Sequence, residues 1–198
     1  MHDHRPYRIF AYHSCDKEVG LKVLLGQDNL KASDNNWDWL GNGIYFWEEN
    51  PYRALNYAVE SQEGKQFNKI PIQIPFVLGA LIDLGVCLNL TESTSLNVLR
   101  EAHEELKKVN DAANAPMPEN KGNRKILDCA VIEFFNTTNE KSGKQKIQTI
   151  RGAFAEGDEV YPGSTMRHKT HIQICVRDES VIKAYFLPKP YNIFNPYL

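Results

Sequence analysis

Between Gly41 and Glu60 the chain passes through three kinds of local structure in quick succession, and this stretch constrains the fold more than any other. Gly41-Asn42-Gly43 is turn chemistry, and Ile44-Tyr45-Phe46-Trp47 is a run of β-branched and aromatic residues with strong strand propensity. Asn50-Pro51 then reads as a helix start, Asn50 capping and Pro51 at the first position, with Ala54, Leu55 and Ala58 as an apolar face through about Glu60. No regular alternation of strand and crossover helix continues from there, so a doubly wound parallel sheet is not indicated. Several strands with a few helices between them predict an α+β fold.

The flanking segments follow the same reading. Tyr7 to Tyr12 predicts a first strand, ending at His13-Ser14-Cys15, and Lys17 to Leu25 has helical spacing stopped by Gly26. Ser33 to Leu40 is a polar loop holding Trp37 and Trp39, and a second loop runs on to Lys69. Ile70 to Leu90 is apolar but broken by Pro71, Pro75, Gly79 and Gly85, which predicts two short strands with a bend. A helix opens near Thr91 with Leu96, Leu99, His103 and Leu106 on one face. Ile126 to Phe135 is a buried helix or strand, helix preferred, and Ile147 to Phe154, His171 to Val176 and Val181 to Leu187 are strands. Tyr191 to Leu198 is too apolar to hang free; it packs back on the core or meets a partner.

At 198 residues the chain fits a single domain spanning residues 1–198, with no linker or internal repeat to divide it. A formal net charge of -2 excludes a wholesale basic surface, so electrostatics alone nominate no nucleic-acid binder. No run approaches the ~20 apolar residues of a membrane helix, and Met1 to Pro6 lacks the apolar core of a secretory signal. Cys15, Cys87, Cys129 and Cys175 are widely spaced and read as free thiols, which points to a reducing, cytoplasmic setting. His2 and His4 have no nearby cysteine or third histidine to complete a metal site.

Three places hold more than core: Tyr12-His13-Ser14 at the end of the first strand, Gly41 to Phe46 followed by Tyr57, and the last strand pair. In order and spacing these residues resemble the ADP-ribosyltransferase superfamily, in its diphtheria-toxin and poly(ADP-ribose) polymerase branch. That branch has a strand-end His, a Gly-x-Gly-x-Tyr-Phe strand, a helix with a second Tyr, and a late strand carrying a catalytic Glu. The resemblance spans the chain, and its specific part is residues 12 to 57. It implies two packed, mostly antiparallel sheets with flanking helices. It also implies NAD as substrate, with His13 on the adenine-linked ribose, the Ser14 backbone on the carboxamide, Gly43 allowing close approach, and Tyr45 and Tyr57 stacked on nicotinamide. Aromatic rings suit that task, since stacking and cation–π attraction to a pyridinium each supply on the order of 1 kcal/mol. A histidine at a strand end can donate to a ribose hydroxyl.

The late strand departs from the pattern. Gln173 stands where the family has its Glu, with His171 two residues before it, and Ser14 stands where Gly usually follows the His. A glutamine hydrogen-bonds a hydroxyl but provides no charge and no proton acceptor of useful strength. Three explanations follow: another carboxylate (Glu133, Glu156, Asp158 or Glu159) takes over, the acceptor needs no base, or the protein only binds NAD or ADP-ribose. On the first, Gln173, Tyr45 and Glu133 are the candidate catalytic residues. The loop Ala155 to Lys169 mixes acids with Arg167, His168 and Lys169, and reads as a solvated charged loop or as a grip on a nucleic-acid strand. The resemblance implies a small mono-ADP-ribosyltransferase, toxin-like or anti-phage, acting on protein or nucleic acid and held in check by a neutralising antitoxin. The alternative is a catalytically inactive NAD or ADP-ribose reader.

Overall fold

The computed structural model describes residues 8–65 and 71–198; His2, His4, Tyr7 and Ile70 lie outside the described residues. Strand β1 (Arg8–Asp16) runs into helix α1 (Lys17–Leu24), where the Asp16 side chain accepts from Glu18 N. Strand β2 (Ile44–Glu48) leads to α2 (Pro51–Gln62), begun as the sequence indicates: Asn50 accepts from Arg53 N and Pro51 occupies the first turn. The apolar stretch after the second loop is β3 (Pro75–Asp83) and β4 (Cys87–Asn89), with the bend at Gly85, whose φ of +55° suits a residue without Cβ. Helices α3 (Ser93–Ala112) and α4 (Ile126–Lys141) follow. Then come β5 (Thr149–Phe154), β6 (His171–Val176), β7 (Ile182–Phe186) and the short α5 (Tyr191–Phe194). The segment from Ile126 is therefore helical. On α3 Ser95 and Ala102 are buried, Leu99, His103 and Leu106 of the expected face are half-buried with Leu99 against the core, and Leu96 alone of that face is exposed.

The fold is α+β, and the strands join into one seven-stranded sheet in the order β4-β5-β6-β2-β1-β3-β7. Among the described residues the strands belong to this one sheet, and a division into two packed sheets is not shown. Pairing between β2 and β1 links the two halves, and only β4 and β5 run parallel. Side chains alternate across this sheet as a period of two demands. Ala11, Phe46, Leu78 and Ile174 join the core beneath α1, together with Val23 of that helix. Trp47 and Val77 turn the other way and pack with Ala54 of α2, while Tyr45 and Cys175 pack with Ile132 of α4.

One irregularity positions the site. Strand β1 pairs with β3 along its whole length, from Arg8↔Asp83 to Asp16↔Pro75, but meets β2 only at Ala11↔Glu48 and Tyr12↔Trp47. Past Tyr12 the two central strands part, and His13 closes the gap through Nδ1, 2.8 Å from the Tyr45 carbonyl oxygen. On the other flank the C-terminal segment packs back on the core. Phe194 is buried against Trp47, Ala54 and Val77, and the buried Asn195 amide accepts from Val77 N (2.9 Å) and donates to Val77 O (3.0 Å). Among the described residues no helix is long and apolar enough to cross a membrane.

Candidate functional site

A cavity of about 410 Å³ lies over the parting of β1 and β2, on the face covered by α2. Its wall includes His13 and Ser14 of β1, Tyr45 and Trp47 of β2, Arg53 and Tyr57 of α2, and His171 and Gln173 of β6. Register explains why the strand residues other than His13 converge; His13 alternates toward the side beneath α1, its ring 5.5 Å from that of Phe46, and meets the cavity where β1 and β2 part. Trp47 stands opposite Gln173 and Tyr45 opposite Cys175, so Tyr45, Trp47, Gln173 and His171 all project to one side of the sheet. On α2, Arg53 and Tyr57 are four residues apart and so share one helix face. Trp37, Asp38 and Trp39 of the loop before β2 form the rim. That loop is pinned by Lys125 N donating to the Trp37 carbonyl, Trp39 Nε1 donating to Asn123 O, and the Trp39 ring against Phe154 at 4.5 Å.

Five of the sequence-predicted residues thus line one cavity: His13, Ser14, Tyr45, Tyr57 and Gln173. Their settings refine what each can do. A carbonyl only accepts, so the His13–Tyr45 bond puts the proton on His13 Nδ1 and leaves Nε2 a lone-pair acceptor. Burial pushes the His13 pKa down, which favours this neutral form. His13 is therefore set to accept from a hydroxyl, whereas the sequence suggested donation. The Ser14 hydroxyl donates to the Ala54 carbonyl and ties β1 to α2. The Tyr45 hydroxyl donates to Gly41 O (2.7 Å) and accepts from Leu40 N (2.9 Å); burial raises its pKa well above the usual phenol value. That oxygen is occupied, so Tyr45 offers the cavity its ring. The Tyr57 ring leans on Trp47, centroids 5.1 Å apart.

Gly43 and Glu133 do not line the cavity. A Cβ on Gly43 would sit 2.4 Å from Cys175 Sγ and 2.6 Å from the Val176 oxygen, so its bareness lets β2 start against β6. Gly41, at φ +74°, has Glu133 Oε1 2.3 Å from where its Cβ would be. Glu133 accepts from Asn42 N at 2.8 Å and from both Arg177 nitrogens at 2.6 and 3.1 Å. Its carboxylate clamps the glycine turn onto α4 and β6. The close approach expected of these glycines is thus made to protein.

Among the wall residues that sequence reasoning missed are Trp47 and Arg53, with Ile72 and Asn123. Period-two alternation from Tyr45 reaches Trp47, and helical spacing back from Tyr57 reaches Arg53. Both are 4% exposed, and His171 is 6% exposed. Among the described residues, Trp47 Nε1, Arg53 Nε and His171 Nε2 have no hydrogen-bond partner. An unsatisfied buried polar atom costs roughly 1–3 kcal/mol. Arg53 donates from Nη2 to Glu156 (2.9 Å) and pairs through Nη1 with Glu60 (3.7 Å). His171 Nδ1 donates to Lys169 O at 2.6 Å, and burial together with the Arg53 charge lowers its pKa. In the loop between β5 and β6, Arg167 pairs with Glu159 (3.6 Å) and Lys169 with Glu60 (2.7 Å), so both cations, though partly exposed, have carboxylate partners within the chain. All four cysteines are unpaired, and burial pushes Cys15 up to about 12 and Cys129 to about 11.

The cavity thus presents aromatic faces, a neutral histidine acceptor, a glutamine amide and a carboxylate held by arginine. That set suits a flat ring bearing a sugar better than a metal ion, and among the described residues no cluster of metal-ligating side chains occurs. Compared with known proteins, the chain matches no family model, no curated protein and no solved structure.

Proposed function

We propose that the protein is an NAD-dependent mono-ADP-ribosyltransferase that transfers ADP-ribose to a macromolecule and releases nicotinamide. One observation carries the reading: residues from β1, β2, α2 and β6, up to 160 positions apart in the chain, meet around a single cavity of ligand size. Those of β1, β2 and α2 carry the resemblance to the ADP-ribosyltransferase superfamily, and Gln173 of β6 stands where that family has its Glu. In this reading Tyr45 and Tyr57 hold the nicotinamide ring and His13 Nε2 accepts from the adenine-linked ribose. Main-chain groups of Ser14 fix the carboxamide, and Gln173 bonds a hydroxyl of the nicotinamide ribose. The donors of Trp47 and Arg53 give the wall polar partners for a charged dinucleotide.

A toxin-like effector working in the cytoplasm, neutralised by an antitoxin, is the physiological setting proposed. The absence of an acid at Gln173 favours one other reading, an NAD or ADP-ribose reader without turnover. Incubation with adenylate-labelled NAD and, separately, protein, DNA and RNA distinguishes them. The transferase predicts free nicotinamide together with label on one acceptor. A reader predicts an NAD-induced rise in melting temperature with neither product, and no thermal shift at all would remove both.

A further inference from the structure

The acids that could stand in for the one missing at Gln173 are far apart in their settings. Glu133 is consumed by Arg177 and Asn42 N. In the loop after β5, Glu159 accepts from Gly163 N and pairs with Arg167, and neither Asp158 nor Glu159 reaches the cavity wall. Asp38 lines the rim, but both its oxygens accept from Asn35. Glu156 remains, and the sheet explains its place. Gly152 pairs with Gln173 and Phe154 with His171, so Glu156, two residues further, extends the same alternating row. Lys169 N donates to the Glu156 carbonyl (2.8 Å), continuing the ladder by one step, and Gly157 then turns away at φ +85°. The carboxylate therefore comes from a fixed backbone.

We infer that Glu156 is the catalytic carboxylate of this site, receiving the proton of the acceptor group while Arg53 holds it in position. The inference rests on the NAD-dependent reading given above. Glu156 Oε2 accepts from Arg53 Nη2 at 2.9 Å, and among the described residues Oε1 has no hydrogen-bond partner. Glu156 lines the cavity with its side chain 30% exposed, whereas that of His171, whose Nδ1 lies 3.8 Å from Glu156 Oε2, is 1% exposed. A macromolecular acceptor can reach Glu156 and cannot reach His171. In the step, the bond between C1′ of the ribose and the nicotinamide nitrogen breaks, and its electron pair goes to that nitrogen, discharging the pyridinium. The acceptor's nucleophilic atom bonds to C1′, and its proton passes to Glu156 Oε1. Gln173 keeps the part a neutral amide can perform, a hydrogen bond to a ribose hydroxyl, so the two tasks of the family's single Glu are divided between β6 and the end of β5.

The test is Glu156→Gln, followed by NAD thermal shift, label transfer and nicotinamide release, with sodium azide as an added nucleophile. A general base contributes typically about 10²–10⁴-fold. The variant is therefore expected to bind NAD as the wild type does and to transfer label at least about a hundredfold more slowly. Azide carries no proton to remove and attacks C1′ directly, so it should restore nicotinamide release in Glu156→Gln. Label transfer by the variant at the wild-type rate would overturn the inference and leave the transferase reading intact. So would a variant that binds NAD but is not rescued by azide, or one that loses NAD binding, which would make Glu156 a binding or structural group. A wild type releasing no nicotinamide with any acceptor would overturn both.

Discussion

Replacing Glu133 separates its two possible roles, clamp and catalyst. The carboxylate accepts three hydrogen bonds, from Asn42 N and from both terminal nitrogens of Arg177. The Arg177 and Glu133 side chains are 15% and 27% exposed, so solvent screens the pair much less than a surface one. Glu133→Ala strips all three bonds and leaves Arg177 only its contact with Asn42 O. Removing one partner of a buried ion pair costs about 3–5 kcal/mol, and the partial exposure of this pair sets the expected loss for the alanine variant at the lower end, about 3 kcal/mol. Glu133→Gln keeps one acceptor for Asn42 N and should lose roughly half as much. For a chain of this size about 3 kcal/mol corresponds to a fall in Tm of roughly 6–12 °C. Urea titration measures the first and thermal melting the second, with nicotinamide release measured per folded molecule at a temperature where both variants are folded. The clamp predicts lost stability with turnover within about twofold of the wild type. An alanine variant that melts like the wild type but has lost turnover would exclude the clamp and make Glu133 a catalytic group.

Three further expectations follow from the geometry. Tyr57→Ala removes stacking and cation–π attraction of about 1–2 kcal/mol, so the NAD dissociation constant should rise about tenfold or more in calorimetric titration. Asn195→Ala orphans the buried N–H and C=O of Val77 and should cost about 3 kcal/mol in urea unfolding, with NAD affinity unchanged in the folded state. His13 and His171 have pKa values lowered by burial, so the unfolded chain binds more protons than the native one as pH falls through the unfolded value. Stability should therefore drop on acidification below about pH 6.5, each histidine adding a slope that tends to about 1.4 kcal/mol per pH unit. Urea midpoints followed from pH 7.5 to 5 should fall less steeply in His13→Gln, and an unchanged slope would count against a neutral, buried His13.

Much of the fold is legible locally. Asn50-Pro51 starts a helix because its cap and ring act within one turn, and Gly26 and Gly85 mark a helix end and a bend where positive φ is needed. The alternation in Ile44 to Trp47 and in His171 to Val176 gives strands whose inward rows meet at the cavity. The joining of the strands into one sheet was not legible, because it depends on two β1–β2 pairs that leave no local pattern. The same holds for Glu156. Its charge is visible in the sequence, but its place depends on a buried arginine 103 residues away and on the register of β5 against β6. Gly41 and Gly43 are a related case: a missing Cβ signals close approach, and only the folded chain tells that Glu133, Cys175 and Val176 are what approaches.

In the proposed function this cavity holds NAD with its nicotinamide between Tyr45 and Tyr57. A crystal structure of the protein with NAD, or with a non-cleavable analogue, tests it most directly. The nicotinamide ring is expected in van der Waals contact with both tyrosine rings, a ribose hydroxyl within hydrogen-bond distance of His13 Nε2, and Glu156 Oε1 facing C1′. A dinucleotide seated elsewhere, or a cavity that stays closed to NAD at saturating concentration, would contradict it.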